Sequence, residues 1–228
     1  MKNIFDKTAE YDQMLDNGLR LSGEKKDYFM VCRVQELIQQ LPDEFTPNRI
    51  LDFGCGLGET TSHLAGSFPN VQEVIGVDRS LAMVEQANQV FGSDRVSFMP
   101  LDDLDKLGEF DLCYCNGVFH HILPNHRQQT MKTIYRAVKK GGYFAVFENN
   151  PWNPAVHVIM SRIPFDKDAI MLSILEMADL LRQGNFIEQK RARSLFYFPR
   201  ILKILRIFEP MLTRIPLGGQ YYILATKR

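Results

Sequence analysis

The stretch Ile50-Leu51-Asp52-Phe53-Gly54-Cys55-Gly56-Leu57-Gly58-Glu59 decides the fold, because an apolar strand runs straight into a G-x-G-x-G turn and the start of a helix. Glycines at such a turn let a ligand lie against bare backbone. A dinucleotide fingerprint, G-x-G-x-x-G, would place its last glycine at position 59, with a helix N-terminus facing a pyrophosphate. Position 59 is Glu, and Asp52 stands just upstream. Carboxylates there are poor neighbours for a pyrophosphate and suit a ligand that carries positive charge.

Moving outward, Val74-Ile75-Gly76-Val77-Asp78 closes a second strand with an acid, 20 residues after Gly58. A carboxylate at that strand end can accept from both hydroxyls of a ribose. Next, Phe98-Met99-Pro100-Leu101-Asp102-Asp103-Leu104 sets acids just after a third strand, where a carboxylate can accept from an adenine amino group. The ribose signal fits NAD as well as S-adenosylmethionine. The acidic glycine loop favours the second, whose sulfonium and ammonium groups are both positive.

Short apolar runs alternate with helical stretches, which predicts βαβ units and a parallel sheet. Strands are expected over 49–53, 74–78, 96–100, 110–115, 143–148, 192–198 and 220–227. Helices are expected over 24–41, 59–67, 80–91 with Ser80 as cap, 126–138 before the Gly141-Gly142 turn, and 176–183. Phe5, Tyr11, Met14 and Leu15 suggest an amphipathic segment ahead of them, and 155–172 an insertion with a helical piece. After Pro199, Arg200, Lys203, Arg206 and Glu209 take one half of an amphipathic helix and Ile201, Ile204, Leu205 and Phe208 the other. Such a helix either covers the sheet or faces a membrane.

The chain has 228 residues, 27 Lys+Arg against 27 Asp+Glu, and 45% hydrophobic residues, an ordinary globular balance that suits one α/β domain with additions. No apolar run reaches the roughly 18 residues of a membrane span, and Met1–Glu10 has no apolar core of a secretory signal. Cys32, Cys55, Cys113 and Cys115 contain no C-x-x-C, and Cys113 and Cys115 are spaced for one face of a strand. Reduced thiols, a cytoplasmic location and no metal are the expectation. Residues 181–228 hold ten Lys+Arg against two acids, so +8 there is balanced by −8 before it. The basic end reads either as a solvated surface or as a contact with an anionic partner, such as a membrane surface. Nucleic acid is not expected, because no basic and aromatic platform is present.

These motifs together resemble the class I S-adenosylmethionine-dependent methyltransferases. The resemblance covers residues 49–150: the LDFGCGLG loop, the GVD strand end, the LDDL turn, Phe110-Asp111-Leu112 with Val118-Phe119-His120-His121-Ile122, and Ala137-Val138-Lys139-Lys140-Gly141-Gly142. It implies a Rossmann-like, seven-stranded, mostly parallel α/β sheet with an antiparallel last strand and helices on both faces. It divides the single domain into an N-terminal helical cap (1–48), a cofactor-binding core (49–150) and an acceptor side (151–228) with insertions after the fifth and sixth strands. By the same resemblance, Asp52 supports the loop, and Gly54, Cys55, Gly56 and Gly58 line the methionine part. Asp78 holds the ribose, Arg79 and Met83 border the adenine, Asp102, Asp103 and Leu104 flank its amino edge, and Asn116 lies beneath the sulfonium.

Methyl transfer from a sulfonium is an in-line displacement with a good leaving group, so alignment and desolvation supply most of the catalysis. A base is needed only where the acceptor arrives protonated. His120, His121, Glu148 and Tyr11 are the candidates; His121 reads as base or as scaffold, and Glu148 as base or as anchor of the loop after it. Asn149-Asn150-Pro151-Trp152 is only loosely similar to the Asn-Pro-Pro-Tyr box of amino-group methyltransferases, which follows the fourth strand. It reads as a rigid acceptor wall, with Trp152 against an apolar or sugar-like surface, or as a loop clamp. Tyr11, Asn149, Asn150 and Trp152 are thus the candidate acceptor residues. The expected function is transfer of a methyl group from S-adenosylmethionine, leaving S-adenosylhomocysteine, to a hydroxyl of a small-molecule or lipid- or glycan-linked acceptor. The alternatives are an inactive cofactor-binding partner protein and a nucleotide-dependent oxidoreductase. The last is disfavoured by Glu59 and by Tyr135 and Lys139 lying late in a helix.

Overall fold

A computed structural model describes residues 8–188 and 192–228. Strands β1 (Arg49–Phe53), β2 (Glu73–Asp78), β3 (Val96–Pro100), β4 (Phe110–Asn116), β5 (Val138–Asn149), β6 (Phe186–Glu188), β7 (Arg193–Leu195) and β8 (Gln220–Lys227) form one sheet. Its order is β3-β2-β1-β4-β5-β8-β6, with β7 also paired to β8. The pairs from β3 to β5 are parallel, and β8 is antiparallel to β5.

The expected sixth strand, 192–198, is shortened to β7, and β6 is a further piece outside the expected strands. Glu188 pairs with Ala225 and Arg193 with Tyr222, so five steps along the outer chain cover three along β8. Both pieces lie on one edge of β8 and fill the seventh, outermost position of the order. The Gly141-Gly142 pair, read as a turn, instead lies inside β5, where the register with β4 shifts between Phe110 and Leu112. Gly141 has a φ of 78°, which a bulge accommodates with glycine.

Helices α1 (Thr8–Leu19), α2 (Lys26–Gln40), α3 (Glu59–Ser67), α4 (Leu81–Phe91), α5 (Pro124–Ala137), α6 (Pro154–Met160) and α7 (Ile174–Gln183) surround the sheet. Central strands are buried on both faces, as parallel strands between helix layers must be. Leu51, Phe53, Ile75, Val77, Cys113, Cys115, Phe144 and Val146 point to one face, with Met131 and Ile134 of α5 and Met177 and Leu181 of α7. Ile50, Val74, Leu112, Tyr114, Ala145 and Phe147 point to the other, with Val34, Leu37, Leu64, Val84 and Ala87 of α2, α3 and α4. Cys113 and Cys115 share a face, and all four cysteines are free thiols.

The strand order reverses between β1 and β4, and at such a switch point the C-terminal strand ends splay to leave a crevice. The cap closes over that end. A Cβ on Gly18 of α1 would come within 2.3 Å of Ile163, so the cap packs tightly on the segment that follows α6.

The segment 200–208 departs from its expected form. It is a run of 3-10 turns with a kink at Leu202, not an α-helix. At three residues per turn, Ile201, Ile204 and Ile207 fall in one row, which faces solvent at 90%, 77% and 73% exposure. The segment lies on the cap rather than over the sheet: Arg206 pairs with Glu24 at 2.9 Å and stacks over Tyr28 at 4.4 Å. Among the described residues no helix is long and apolar enough to cross a membrane.

Candidate active site

Gly54, Gly56 and Gly58 adopt φ of 77°, 54° and 91°. The Gly54 and Cys55 N–H groups both donate to Val77 C=O, which ties the loop to the end of β2. A Cβ on Gly58 would lie 2.7 Å from the Phe98 ring. At Gly56 the nearest atom is Met83 Sδ, 3.9 Å away, so its open side faces free space. One oxygen of Asp78 accepts from Gly56 N–H at 3.0 Å and the other from Ser80 N–H at 2.9 Å. A carboxylate has about four acceptor sites, so hydroxyl donors can still bind it.

Asp52 is buried and accepts from the Thr61 hydroxyl at 2.7 Å. Burial pushes its carboxyl up to about 7, against the Thr61 bond, with nearby Asp78 adding to the rise and Arg33 opposing it. An uncompensated buried acid at the base of a glycine loop is a site that gains from a cationic ligand. Glu59, read as repelling a pyrophosphate, holds Lys26 of α2 at 2.5 Å and so draws the cap onto the loop. Met83 is buried, Arg79 is exposed, and Asp103 pairs with Lys106 at 2.5 Å, with Asp102 beside it on the 3-10 turn Leu101–Lys106 and Leu104 buried beneath. The side chain of Asn116 ends β4.

Two cavities meet at this end of the sheet. One, of about 130 Å³, is lined by Asp52, Gly54, Cys55, Gly56 and Glu59. The other, of about 620 Å³, has an apolar wall that includes Phe29, Ile159, Phe165 and Phe198, and polar groups that include His120, His121, Asn149 and Asp166. Leu15, Lys26, Arg33 and Asn116 line both. The cavity along the glycine loop therefore opens onto a larger, mainly apolar chamber.

Glu148 is fully buried at the end of β5 and does not line the chamber. One of its oxygens accepts from Phe119 N–H and the other meets His120 Nδ1, both at 2.6 Å. This geometry orients His120 rather than any acceptor. Burial alone would lower the His120 pKa, but the charge of Glu148 and the bonds to Asp166 and Glu148 raise it to about 10. His121 is partly exposed at the chamber wall, with Nε2 3.3 Å from Asp166 Oδ1. Asn149 lines the chamber and accepts from Gln220 Nε2 at 3.2 Å. Asn150 is buried and donates to the carbonyls of Pro216 and Gly218, so it clamps the loop ahead of β8. Trp152 is 43% exposed and lies outside the chamber lining, as a side chain of the clamp's outer face. Tyr11 falls in α1 at a position whose side chain is outside the described residues.

Sequence reading did not single out Arg33, Lys26, Gln220 or Asp166. Arg33 is buried, and its guanidinium donates to the Tyr114 hydroxyl at 3.3 Å and to Gln220 Oε1 at 3.2 Å, with no carboxylate in bonding range among the described residues. Its signal was available, since a basic residue beside Val34 and Leu37 sits on the buried stripe of an amphipathic helix. Asp166 gave none; the 3-10 turn Pro164–Asp166 reaches the site only through the tertiary path of the insertion.

Residues 50–142 match the family model described as a methyltransferase domain. Over 111 residues the chain is 38% identical to the malonyl-[acyl-carrier protein] O-methyltransferase of Legionella pneumophila, a match covering 43% of this chain and 38% of that protein. It is 27% identical over 133 residues to a trans-aconitate 2-methyltransferase of Rhodopseudomonas palustris, covering 58% and 50%. These matches span half or less of each relative's length. A crystal structure of an S-adenosylmethionine-dependent methyltransferase from Thermotoga maritima superposes with a TM-score of 0.67 at 20% identity, over 99% of this chain and 98% of that one. The glycine loop and the acid at the end of β2 thus lie within the stretch that matches a methyltransferase domain, and the fold is that of the S-adenosylmethionine-dependent methyltransferase structure.

Proposed function

We propose that the chain transfers a methyl group from S-adenosylmethionine to an oxygen, a hydroxyl in the first instance, of an amphipathic acceptor that is small or lipid- or glycan-linked. The observation that carries this reading is the junction of the two cavities at Asn116. When bound, the cofactor supplies an activated methyl group on a sulfonium. The chain's own residues do the rest. Asp52 and the bare backbone at Gly54, Cys55, Gly56 and Gly58 receive the cationic methionine end, and Lys26 and Arg33 face its carboxylate. Asp78 accepts from the ribose, Arg79 and Met83 border the adenine, and Asp102, Asp103 and Leu104 its amino edge. Asn116 fixes the reacting end, and the apolar wall excludes water from it, which lowers the barrier by alignment rather than by covalent chemistry. A proton leaving an acceptor hydroxyl goes to His121 at the chamber wall, which Asp166 positions. Glu148 acts through His120 as a positioning residue.

Two observations support an amphipathic acceptor. The chamber wall is mainly apolar, and the segment that supplies Phe198 and Pro199 to it continues into the exposed row Ile201, Ile204 and Ile207, beside Arg200 and Lys203. Apolar side chains flanked by basic ones suit the surface of an anionic membrane. The names of the O-methyltransferase and trans-aconitate relatives favour oxygen as the acceptor atom.

Calorimetric titration of S-adenosylmethionine, S-adenosylhomocysteine and NADH, with Asp78→Ala as control, tests the cofactor. Micromolar binding of both sulfur ligands, lost in the variant, is expected, and preference for NADH would sink the reading. Transfer of a labelled methyl group is then measured against hydroxylated amphiphiles and against acids. Tight cofactor binding without transfer to any acceptor would favour an inactive partner protein.

A further inference from the structure

His120 and His121 leave β4 on the 3-10 turn Phe119–His121, and Asp166 ends a second such turn in the insertion after α6. The sequence places no metal-ligand spacing among them, yet the fold brings one donor atom from each within 4.8 Å of the others. Asp166 Oδ1 lies 3.6 Å from His120 Nε2 and 3.3 Å from His121 Nε2. Ligand atoms held on one ion at bonds of about 2.0–2.2 Å stand roughly 3.0–3.6 Å apart, from octahedral to tetrahedral geometry.

The three groups converge on one point, with both Nε2 nitrogens within ion-pair distance of Asp166 Oδ1. Asp166 Oδ1 is buried and, among the described residues, has no aligned hydrogen bond, although two ring nitrogens are close. A buried carboxylate oxygen without an aligned donor is stabilised by a cation at that point, and a metal ion would take the place of the proton on His120. The His120 ring is also fixed from behind: Nδ1 meets Glu148 Oε2 at 2.6 Å, and Glu148 is itself held by Phe119 N–H. That turns Nε2 toward Asp166, the carboxylate–histidine arrangement that orients a metal ligand. Two buried carboxylates, Glu148 and Asp166, make the cluster electronegative. His120, His121 and Asp166 all line the 620 Å³ chamber, so an ion they held would keep coordination positions open to it.

We propose that His120, His121 and Asp166 form a binding site for one divalent transition-metal ion, whose open positions take an oxygen of the molecule in the chamber. Two imidazoles and one carboxylate favour ions such as Zn²⁺, Co²⁺ or Fe²⁺ over Mg²⁺ or Ca²⁺. The site reuses His121, so an ion bound there would take over the proton-accepting role proposed above, while its binding is read without methyl transfer.

The test is titration of the full chain with Co²⁺, followed by visible absorption, with Mg²⁺ as comparison. One equivalent of bound Co²⁺ with a ligand-field spectrum, displaced by Zn²⁺ and not by Mg²⁺, is expected. Asp166→Asn and the partly exposed His121→Ala should each abolish the spectrum, and Glu148→Gln should weaken binding about 10- to 100-fold. S-adenosylmethionine binding, measured on the same samples, reports whether each variant is folded and keeps the cofactor question separate. No stoichiometric Co²⁺ binding by the unmodified chain would overturn the proposal, as would a spectrum unchanged in a folded His121→Ala.

Discussion

Around the glycine loop the contacts are local: Gly54, Cys55 and Gly58 close a turn between β1 and α3, and the one distant strand involved, β2, is its parallel neighbour. The acceptor chamber is assembled differently, from α1 and α2 of the cap, the turn after β4, the insertion after β5 and residues 196–199. A backbone cradle is encoded by residues whose conformational needs are visible one at a time. A chamber of converging side chains is encoded by which distant segments meet. Substitution in the first region should therefore act through the cofactor and the fold, and in the second through the acceptor with the fold left standing.

The largest break is expected at Gly58. Alanine there adds left-handed strain to a 2.7 Å clash with Phe98, together about 2–4 kcal/mol. Cofactor binding should be lost, and the melting temperature should fall by roughly 5–15 °C in differential scanning calorimetry.

Gly56→Ala sharpens the contrast within the loop. Its Cβ meets nothing closer than 3.9 Å, so the expected stability cost is only about 1 kcal/mol of backbone strain. Affinity for S-adenosylmethionine should nevertheless drop by at least about tenfold, because the added methyl group occupies the cofactor's side of the loop. An unchanged affinity would show that the bare backbone at Gly56 is not a binding surface.

Asp52 gives a pH signature confined to the cofactor region. Its folded-state pKa is raised to about 7 by burial, above the ordinary 3.8, so the protonated form is favoured on folding. Its contribution to stability is full below about pH 4 and is lost as pH rises through about 7. A cationic ligand lowers that pKa, so cofactor binding should release a proton and strengthen between about pH 5.5 and 7.5, by at most tenfold per unit. Titration in buffers of different ionisation enthalpy measures the proton release, which Asp52→Asn should remove.

The smallest effect on the fold is expected in the acceptor region. Ile201 and Ile204 are 90% and 77% exposed, so replacing both by serine should leave the melting temperature within about 1 °C. Co-sedimentation with anionic vesicles should fall, and cofactor affinity should not change. Absence of vesicle binding by the unmodified chain would leave the isoleucine row without a membrane role.

Much of the cofactor region was legible because strand ends, positive-φ glycines and a helix cap each follow from local physics. The acceptor region was legible only in outline. Glu148 was visible as an acid at a strand tip, but nothing in its neighbours said that both oxygens would be engaged by Phe119 and His120, 29 and 28 positions earlier. Ile201, Ile204, Leu205 and Phe208 read as the apolar half of an α-helix because 3.6 residues per turn was assumed; at three per turn it is Ile201, Ile204 and Ile207 that form one solvent-facing row. Arg33 was readable in principle, as a charge on an apolar stripe.

By itself the sequence determined the α/β class, the strand-loop-helix cradle and the acid at the end of β2, since period, glycine and charge at fixed spacing are local constraints; the antiparallel last strand was implied only by the family resemblance. Tertiary structure alone decided that Phe186–Glu188 also pairs with β8, that residues 200–208 rest on the cap, and that Asp166 meets His120 and His121. Those outcomes depend on which segments close on one another, and chain closure over 40 or more residues leaves no local pattern to read.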